Sequence, residues 1–499
     1  MKTTPLTFFL FCLILLSSCA VNRNYSPAKK YPKEELREDF ALMRSILEKK
    51  HPSMYWYTSK DSMDLYFDRY YRAIDDSMSE QQFAWHILAP VVDKIHCGHT
   101  SVSMSKNFSR WSVGRRLPSF PLFLKIWNDT MAVTGSLTRK DSIFKRGTII
   151  KAINGLSTNR LVNGMFNYLP EDGSANNFNY IRLSSNFPYY HRNILGLSKT
   201  YFVSYIDSNG RAATATVPLY TPPRDSTKKD SLRRIVRPKQ PRVNRLLAHR
   251  SFVVDSSKKF AVLTLNSFTK GHLRTFFRRS FRTMRKDNIN SLVLDIRSNG
   301  GGRVGLSTLL TKYISREPFR VADSLYAVTK NLGPYTKHVR GRFLNNIELF
   351  FIARKKDDGL YHIRHLEKKV YNPKNKRYNG DVYVLTSGPT FSASTIFGNA
   401  VKGQPGITLL GEETGGGWHG NNGIMIPDVT LPNTKTRIRL PLFRLVQYNH
   451  PPKTGTGIIP DIYVGTSYDA LLKSYDKKMQ VVRDLIYQKS ASAATGASK

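Results

Sequence analysis

The sequence predicts an α/β protein: a βαβ core joined to an N-terminal helical segment and a small inserted β domain. Three observations carry this. Phe260 to Leu265, Lys270 to Lys286 and Leu292 to Ile296 read as strand, amphipathic helix and buried strand, closing on Arg297-Ser-Asn-Gly300-Gly301-Gly302. A second strand-to-helix unit runs from Asp381 to Gly417, DVYVLTSGPTFSASTIFGNAVKGQPGITLLGEETGGG, with a buried strand at Val382 to Leu385, a tight turn, and a helix that opens on small hydroxylated residues. Between about 117 and 223 the pattern changes to short strands and turns.

At 499 residues the chain exceeds one ordinary core, and 40% hydrophobic with 12% aromatic residues is ample for globular folding. The charge is lopsided: 77 Lys and Arg against 36 Asp and Glu give +41, which draws the chain to polyanions such as an anionic envelope surface. No nucleic-acid-reading motif accompanies that charge, so nucleic acid is not expected as a partner. Of the three cysteines, Cys12 and Cys19 belong to the first apolar run, leaving Cys97 alone in the body of the chain. With no CxxC or Cys/His set, neither an internal disulfide, a metal nor another cofactor is expected.

Residues 1–19 read as an export signal. Lys2 supplies the positive start, and Leu6 to Leu16 is an apolar run too short to span a bilayer. The run ends Leu16-Ser17-Ser18-Cys19, which resembles the bacterial lipoprotein box. That resemblance implies a lipidated Cys19, a membrane partner and a place in the bacterial cell envelope, facing the periplasm or at the outer membrane. Residues 20–105 are expected to form a tether and a helical domain. Leu36, Phe40, Met43 and Leu47 make one apolar stripe, His51-Pro52 ends that helix, and Ser79-x-x-Gln82 is a capping box opening the next. The segment closes on Asp93-Lys-Ile-His96-Cys97-Gly98-His99-Thr100, where a turn at Gly98 puts His99 at an element boundary.

Residues 112–222 form the inserted domain, with a hairpin about Asn128-Asp129, a turn at Asn154-Gly155, a helix from Asn159 to Leu169 and a second hairpin about Asn209-Gly210. The run Gly147-Thr-Ile-Ile-Lys-Ala-Ile-Asn154-Gly155 resembles PDZ domains, which dock chain ends by adding a strand to a sheet edge. Residues 170–195 do not fit a minimal domain of that kind and read as an insertion. Residues 223–250 are a basic, proline-bearing linker, 251–470 the α/β core, and 471–499 a C-terminal helix with a disordered tail after Tyr487.

A serine at a strand-to-helix elbow is lifted out of the sheet beside the free N–H groups of the first helical turn, which suits a nucleophile and its oxyanion. Ser387, Ser392 and Ser394 are the candidates, and His96 and His99 compete as the base. The triple glycine suits close backbone approach to a phosphate or to a carbonyl oxygen, but no GxGxxG or Walker lysine accompanies it.

Four ordered motifs resemble family S41 of the serine peptidases, with its C-terminal processing and tricorn-core-like branches. They are Asp295-Ile-Arg297-Ser-Asn299-Gly-Gly-Gly, Thr-Phe-Ser392-Ala-Ser394, Gly411-Glu-Glu-Thr414-Gly and Gly457-Ile-Ile-Pro460-Asp461. The resemblance implies a ClpP/crotonase-like core, a polypeptide substrate, Ser392 as nucleophile, and an oxyanion hole from Ala393 N–H with Gly300 or Gly301. The processing branch places its lysine base where this chain has Gly417, so a Ser/Lys pair is absent. The tricorn-like branch uses a histidine from the N-terminal part, which Gly98-His99-Thr100 matches. That branch has a serine where Gly98 stands, and a glutamate where this chain reads Lys453-Thr-Gly-Thr456. The group orienting His99 is therefore unassigned, with Glu413 one candidate. The resemblance implies a lipid-anchored serine peptidase; the alternative is a non-catalytic peptide-binding lipoprotein on the same scaffold.

Overall fold

The computed structural model describes residues 25–138, 141–207, 209–222, 242–257, 259–339, 353–448 and 454–496. The apolar leader with Cys19, and residues 223–241 of the basic linker, lie outside them.

The N-terminal segment opens with α1 (Lys33–Lys50) and α2 (Lys60–Arg72). The stripe Leu36, Phe40, Met43 and Leu47 is buried as its spacing requires, and α1 stops at His51, held extended ahead of Pro52. Ser79 and Gln82 make the reciprocal capping box at the head of a helical run over 80–93, whose middle, Phe83–Leu88, is π-wound. The chain then turns through His96 and His99 into a short strand, β1 (Ser101–Ser103).

The inserted domain is a curled antiparallel sheet of β2 (Leu122–Trp127), β3 (Thr130–Ser136), β4 (Ile149–Ile153), β5 (Thr200–Ile206) and β6 (Ala212–Pro218), in that order. The expected turns at Asn128 and Asn154 take positive φ, which asparagine tolerates. Between β4 and β5 the chain inserts α3 (Thr158–Phe166), α4 (Asn177–Ser185) and α5 (Phe187–Ile194). Phe120, Leu183, Phe187 and Tyr201 close this domain's core.

The third part begins with β7 (Arg250–Val254), β8 (Phe260–Leu265), α6 (Leu273–Lys286), β9 (Ser291–Asp295), α7 (Val304–Ile314) and β10 (Ala322–Ala327). It continues through β11 (Asp381–Thr386), α8 (Ala393–Val401), β12 (Ile407–Gly411), β13 (Gly420–Ile424), β14 (Asp428–Thr430), β15 (Arg437–Arg439), β16 (Phe443–Gln447), β17 (Ile462–Tyr463) and α9 (Lys477–Gly496). Strands β7-β8-β9-β11-β12-β17 form one sheet in sequence order, parallel from β8 onward. The period of two decides its faces. Leu292, Leu294, Val382 and Val384 pack under α6, α7 and α8, while Val293, Tyr383 and Leu385 pack under α9. Successive crossovers on one face make a singly wound core, as the ClpP/crotonase-like expectation requires.

Two expectations are corrected. Helix α6 starts at Leu273 rather than Lys270, because Gly271 and His272 both take positive φ. The chain stays helical past Tyr487: α9 runs to Gly496, since the run Ala491-Ser-Ala-Ala has high helix propensity, and residues 497–499 lie outside the described ones.

A second sheet joins β10, β16 and β13 and sits against the N-terminal helices. Leu36, Phe40, Met43 and Leu47 share one hydrophobic cluster with Leu325, Val429, Ile438 and Leu445, and β1 pairs with β15. Asp39 on α1 ties the same junction, accepting from Asn433 N, Thr434 N and Thr434 Oγ1 at 2.9, 2.8 and 2.6 Å. The helical segment is thus a wall of the third part and not a separate body. Phe40→Ala should therefore cost about 3–5 kcal/mol. Circular dichroism and tryptophan fluorescence should record one lowered melting transition, since the cluster is shared.

Candidate active site

Strand β11 delivers the chain to a locked turn. Thr390 Oγ1 accepts from Ser387 N and donates to Ile296 O, both at 3.1 Å, and Phe391 N donates to Asn299 O at 3.2 Å. Ser392 follows at φ 56°, ψ −121°, a conformation an L-residue adopts at a cost of about 1–3 kcal/mol, and α8 begins at the next residue. The strain turns Ser392 Oγ out of the sheet while Ala393 N–H, in the first turn, is free of the helix ladder. The other two serines are placed differently: Ser387 Oγ donates to Glu412 at 2.9 Å, and Ser394 is fully buried.

His99 meets this elbow. A carbon added to Gly423 would lie 2.7 Å from Ser392 Oγ and 3.0 Å from His99 Nε2, so both atoms converge on one point over a residue with no side chain. The imidazole packs against Phe391, with ring centroids 4.6 Å apart and the planes tilted by 33°. His99 is 6% exposed, and neither ring nitrogen has a hydrogen-bond partner. His96 is placed elsewhere, with Nδ1 3.9 Å from Glu171 Oε1.

The carboxylate beside His99 is Asp172, which sequence reasoning missed. Its Oδ1 lies 3.9 Å from His99 Nδ1 and accepts from Gly98 N at 2.8 Å, while Oδ2 accepts from Gly417 N at 3.3 Å. Asp172 belongs to the stretch 170–195 that does not fit a minimal β domain. Its neighbours Gly173 and Ser174 press on Gly455, with Ser174 N donating to Gly455 O at 2.8 Å. That is the stretch where the tricorn-like pattern would carry its glutamate. Position 417, where the processing branch has its lysine, also faces Asp172: a side-chain carbon there would lie 3.3 Å from Asp172 Cβ. Glu413 is engaged away from His99, accepting from Gly457 N at 2.6 Å.

The glycine turn completes the wall. At Gly301 (φ 94°) a side-chain carbon would sit 2.8 Å from Ser392 Cβ and 2.9 Å from Ala393 N. Gly301 N–H is already given to Asn299 Oδ1 at 3.0 Å, whereas Gly300 is exposed and crowded by nothing. Of the two glycines, Gly300 is the one with an N–H to spare. Cys97 is a buried thiol receiving Asn422 Nδ2 at 3.1 Å, and burial raises its pKa away from nucleophilic use. Among the described residues no three His, Cys, Asp or Glu side chains are grouped to hold a metal ion, and no helix is long and apolar enough to cross a membrane.

Residues 259–464 match the family model for Peptidase family S41. Over this stretch the chain is similar to family S41. The S41 stretch carries β8 to β17 and with them Ser392, Ala393 and Gly300, and the members of this family are serine-type hydrolases. Mature CPAF has the same fold, at a TM-score of 0.61 and 12% identity over 91% of this chain and 98% of that one. Mature CPAF complexed with lactacystin aligns at a TM-score of 0.60 and 12% identity, over 91% of this chain and 99% of that one. Among curated proteins none matches. His99 and Asp172 both lie outside the S41 stretch, so the site is complete only where the N-terminal segment and the insertion close on it.

Behind that closure sit two buried acids. Burial pushes Asp93 up to about 7, against the pull of Lys94. Burial, together with the nearby Asp93, pushes Glu171 up to about 8. Both values are raised above those of an unfolded chain, near 4. Their contribution to stability is therefore full below about pH 4 and lost as pH rises through 7 to 8. Thermal melts should show the midpoint falling between pH 5 and 8, and Asp93→Asn should flatten that slope.

Proposed function

We propose that the chain is a serine peptidase that cleaves polypeptides with Ser392 as nucleophile and His99 as general base. The observation that carries this reading is the convergence of Ser392 Oγ and His99 Nε2 over Gly423. In the mechanism, Nε2 takes the hydroxyl proton as Oγ attacks the carbonyl carbon. The carbonyl oxygen becomes an oxyanion received by the N–H groups of Ala393 and Gly300. The tetrahedral adduct collapses, His99 returns the proton to the departing amine, and water hydrolyses the acyl-enzyme by the same route. Asp172 is a positioning residue: an approach of about 1 Å would bring its carboxylate within hydrogen-bond reach of His99 Nδ1. It would then fix the tautomer that leaves Nε2 free to accept. Catalytic hydrogen bonds commonly tighten when substrate arrives, so the open arrangement here suits a resting enzyme.

The inserted β domain, by its likeness to modules that add a strand to a sheet edge, is the proposed holder of polypeptide ends. The leader supports a chain lipidated at Cys19 and held at the bacterial envelope, facing exported polypeptides, with the net positive charge favouring an anionic surface.

A fluorophosphonate probe should label the wild type and neither Ser392→Ala nor His99→Ala. Labelling that survives in Ser392→Ala would remove the nucleophile. A folded wild type that takes no label yet binds peptide would instead be the non-catalytic lipoprotein. Asp172→Asn should keep the fold and lower kcat by about a thousandfold, with KM little changed.

A further inference from the structure

Where the N-terminal segment meets the inserted domain there is a cleft of about 1080 Å³. It reaches the site through Gly98, whose N–H is held by Asp172, and through Pro170 on the same loop as Asp172. Its lining contains six arginines and no lysine, aspartate or glutamate. Two of the six are already compensated. Arg437 donates to Asp428 at 3.1 Å, and Arg182 lies beside the Glu171, Asp172 and Asp93 carboxyl groups. The other four, Arg115, Arg116, Arg192 and Arg439, make no ion pair with a carboxylate among the described residues. Arg192 also keeps a buried Nε–H without an acceptor. Like charges gathered this way repel one another, and Arg192, held through Nη1 by Pro118 O and Ser119 Oγ, is a partly buried cation without a counter-charge. The arrangement is relieved when an anion enters.

The cleft also has a strand edge. Strand β1 ends the small sheet β14-β15-β1, so its other edge is unpaired among the described residues, and Ser101, Val102 and Ser103 all line the cleft. This edge begins two residues after His99. An extended polypeptide laid along it would be hydrogen-bonded through its backbone, at about 3.3 Å per residue, and its side chains would alternate toward the arginines. Guanidinium groups match carboxylates in paired, planar hydrogen bonds, which is the chemistry that arginine without lysine favours.

We propose that this cleft is a subsite for an acidic, extended stretch of polypeptide. The stretch docks on the free edge of β1 with its carboxylates at Arg115, Arg116, Arg192 and Arg439. This rests on the reading of the chain as a peptidase, and it adds the class of sequence that the site selects.

The test pairs a glutamate-rich peptide with its glutamine isostere, both fluorescently labelled. Binding is measured by anisotropy on full-length Ser392→Ala protein, and cleavage on the wild type. The acidic peptide should bind about tenfold more tightly at low salt, as expected for two or more modest ion pairs, and the advantage should fade in high salt. The exposed pair Arg116→Gln with Arg439→Gln should bring the ratio toward one. The pair Arg274→Gln with Arg278→Gln, exposed on α6, should leave it unchanged. Equal binding of the two peptides by the Ser392→Ala protein overturns the subsite, whether or not the wild type cleaves. So does an acid preference that the α6 pair removes as fully as the cleft pair. Tight binding of anionic vesicles, with no preference between the peptides, would assign the arginines to a surface and overturn it too. Acid-selective binding without cleavage would keep the subsite and remove the peptidase reading.

Discussion

One buried carboxylate holds the site together. Asp172, 3% exposed, accepts backbone N–H groups from Gly98 and from Gly417, so it fastens the N-terminal loop and the S41 stretch to a third segment, its own. A carboxylate in that position cannot be left without donors: desolvating it unpaired costs several kcal/mol. The three segments are therefore not free to separate one at a time. His99 stands at Ser392 because the residue before it is tied to Asp172. The same atom, Oδ1, that binds Gly98 is the one nearest His99 Nδ1. The loop that bears His99 cannot drift without loosening the carboxylate beside it.

That dependence accounts for what was legible in the sequence. The elbow at Ser392 is local: a continuously buried apolar run along β11, a tight turn and small residues at the head of α8 are all written within a few tens of residues. The stripe on α1, the capping box at Ser79 and the asparagine turns of the inserted domain are local in the same sense. His99 and His96 could not be separated by pattern, because both flank the same turn and their directions are set by what packs on them. Phe391 and Asp172 hold one near the serine, and Glu171 stands beside the other. Asp172 left no mark of its own. Its partners are backbone groups far away in the chain, and its segment differed only in failing to fit the domain around it. The absent lysine at 417 was the usable clue, since it required an acid–base partner from elsewhere.

Shared burial makes the N-terminal segment part of the same body as Ser392. Stripe residues of α1 pack in the same cluster as Leu325, Val429 and Leu445, and β1 completes a sheet with β15. His99 is thus carried on a segment whose folding energy comes from the domain it packs against. A helix such as α1 would be marginal alone in water. Against the second sheet it is fixed, and with it the strand edge that follows His99.

The charge of +41 can then be divided by mechanism rather than by amount. Exposed arginines such as those on α6 act through solvent, where salt screens them beyond about 8–10 Å, so they influence how fast an anion arrives but not which anion stays. The arginines of the cleft act at contact, beside half-buried tyrosines and a strand edge, where a carboxylate can be met by paired, planar hydrogen bonds. A neutral segment entering there would leave these guanidinium charges uncompensated, while a carboxylate would pair with them. Selection by the cleft therefore operates through arginines that have no carboxylate of their own, and the remainder of the positive charge sets the rate of encounter.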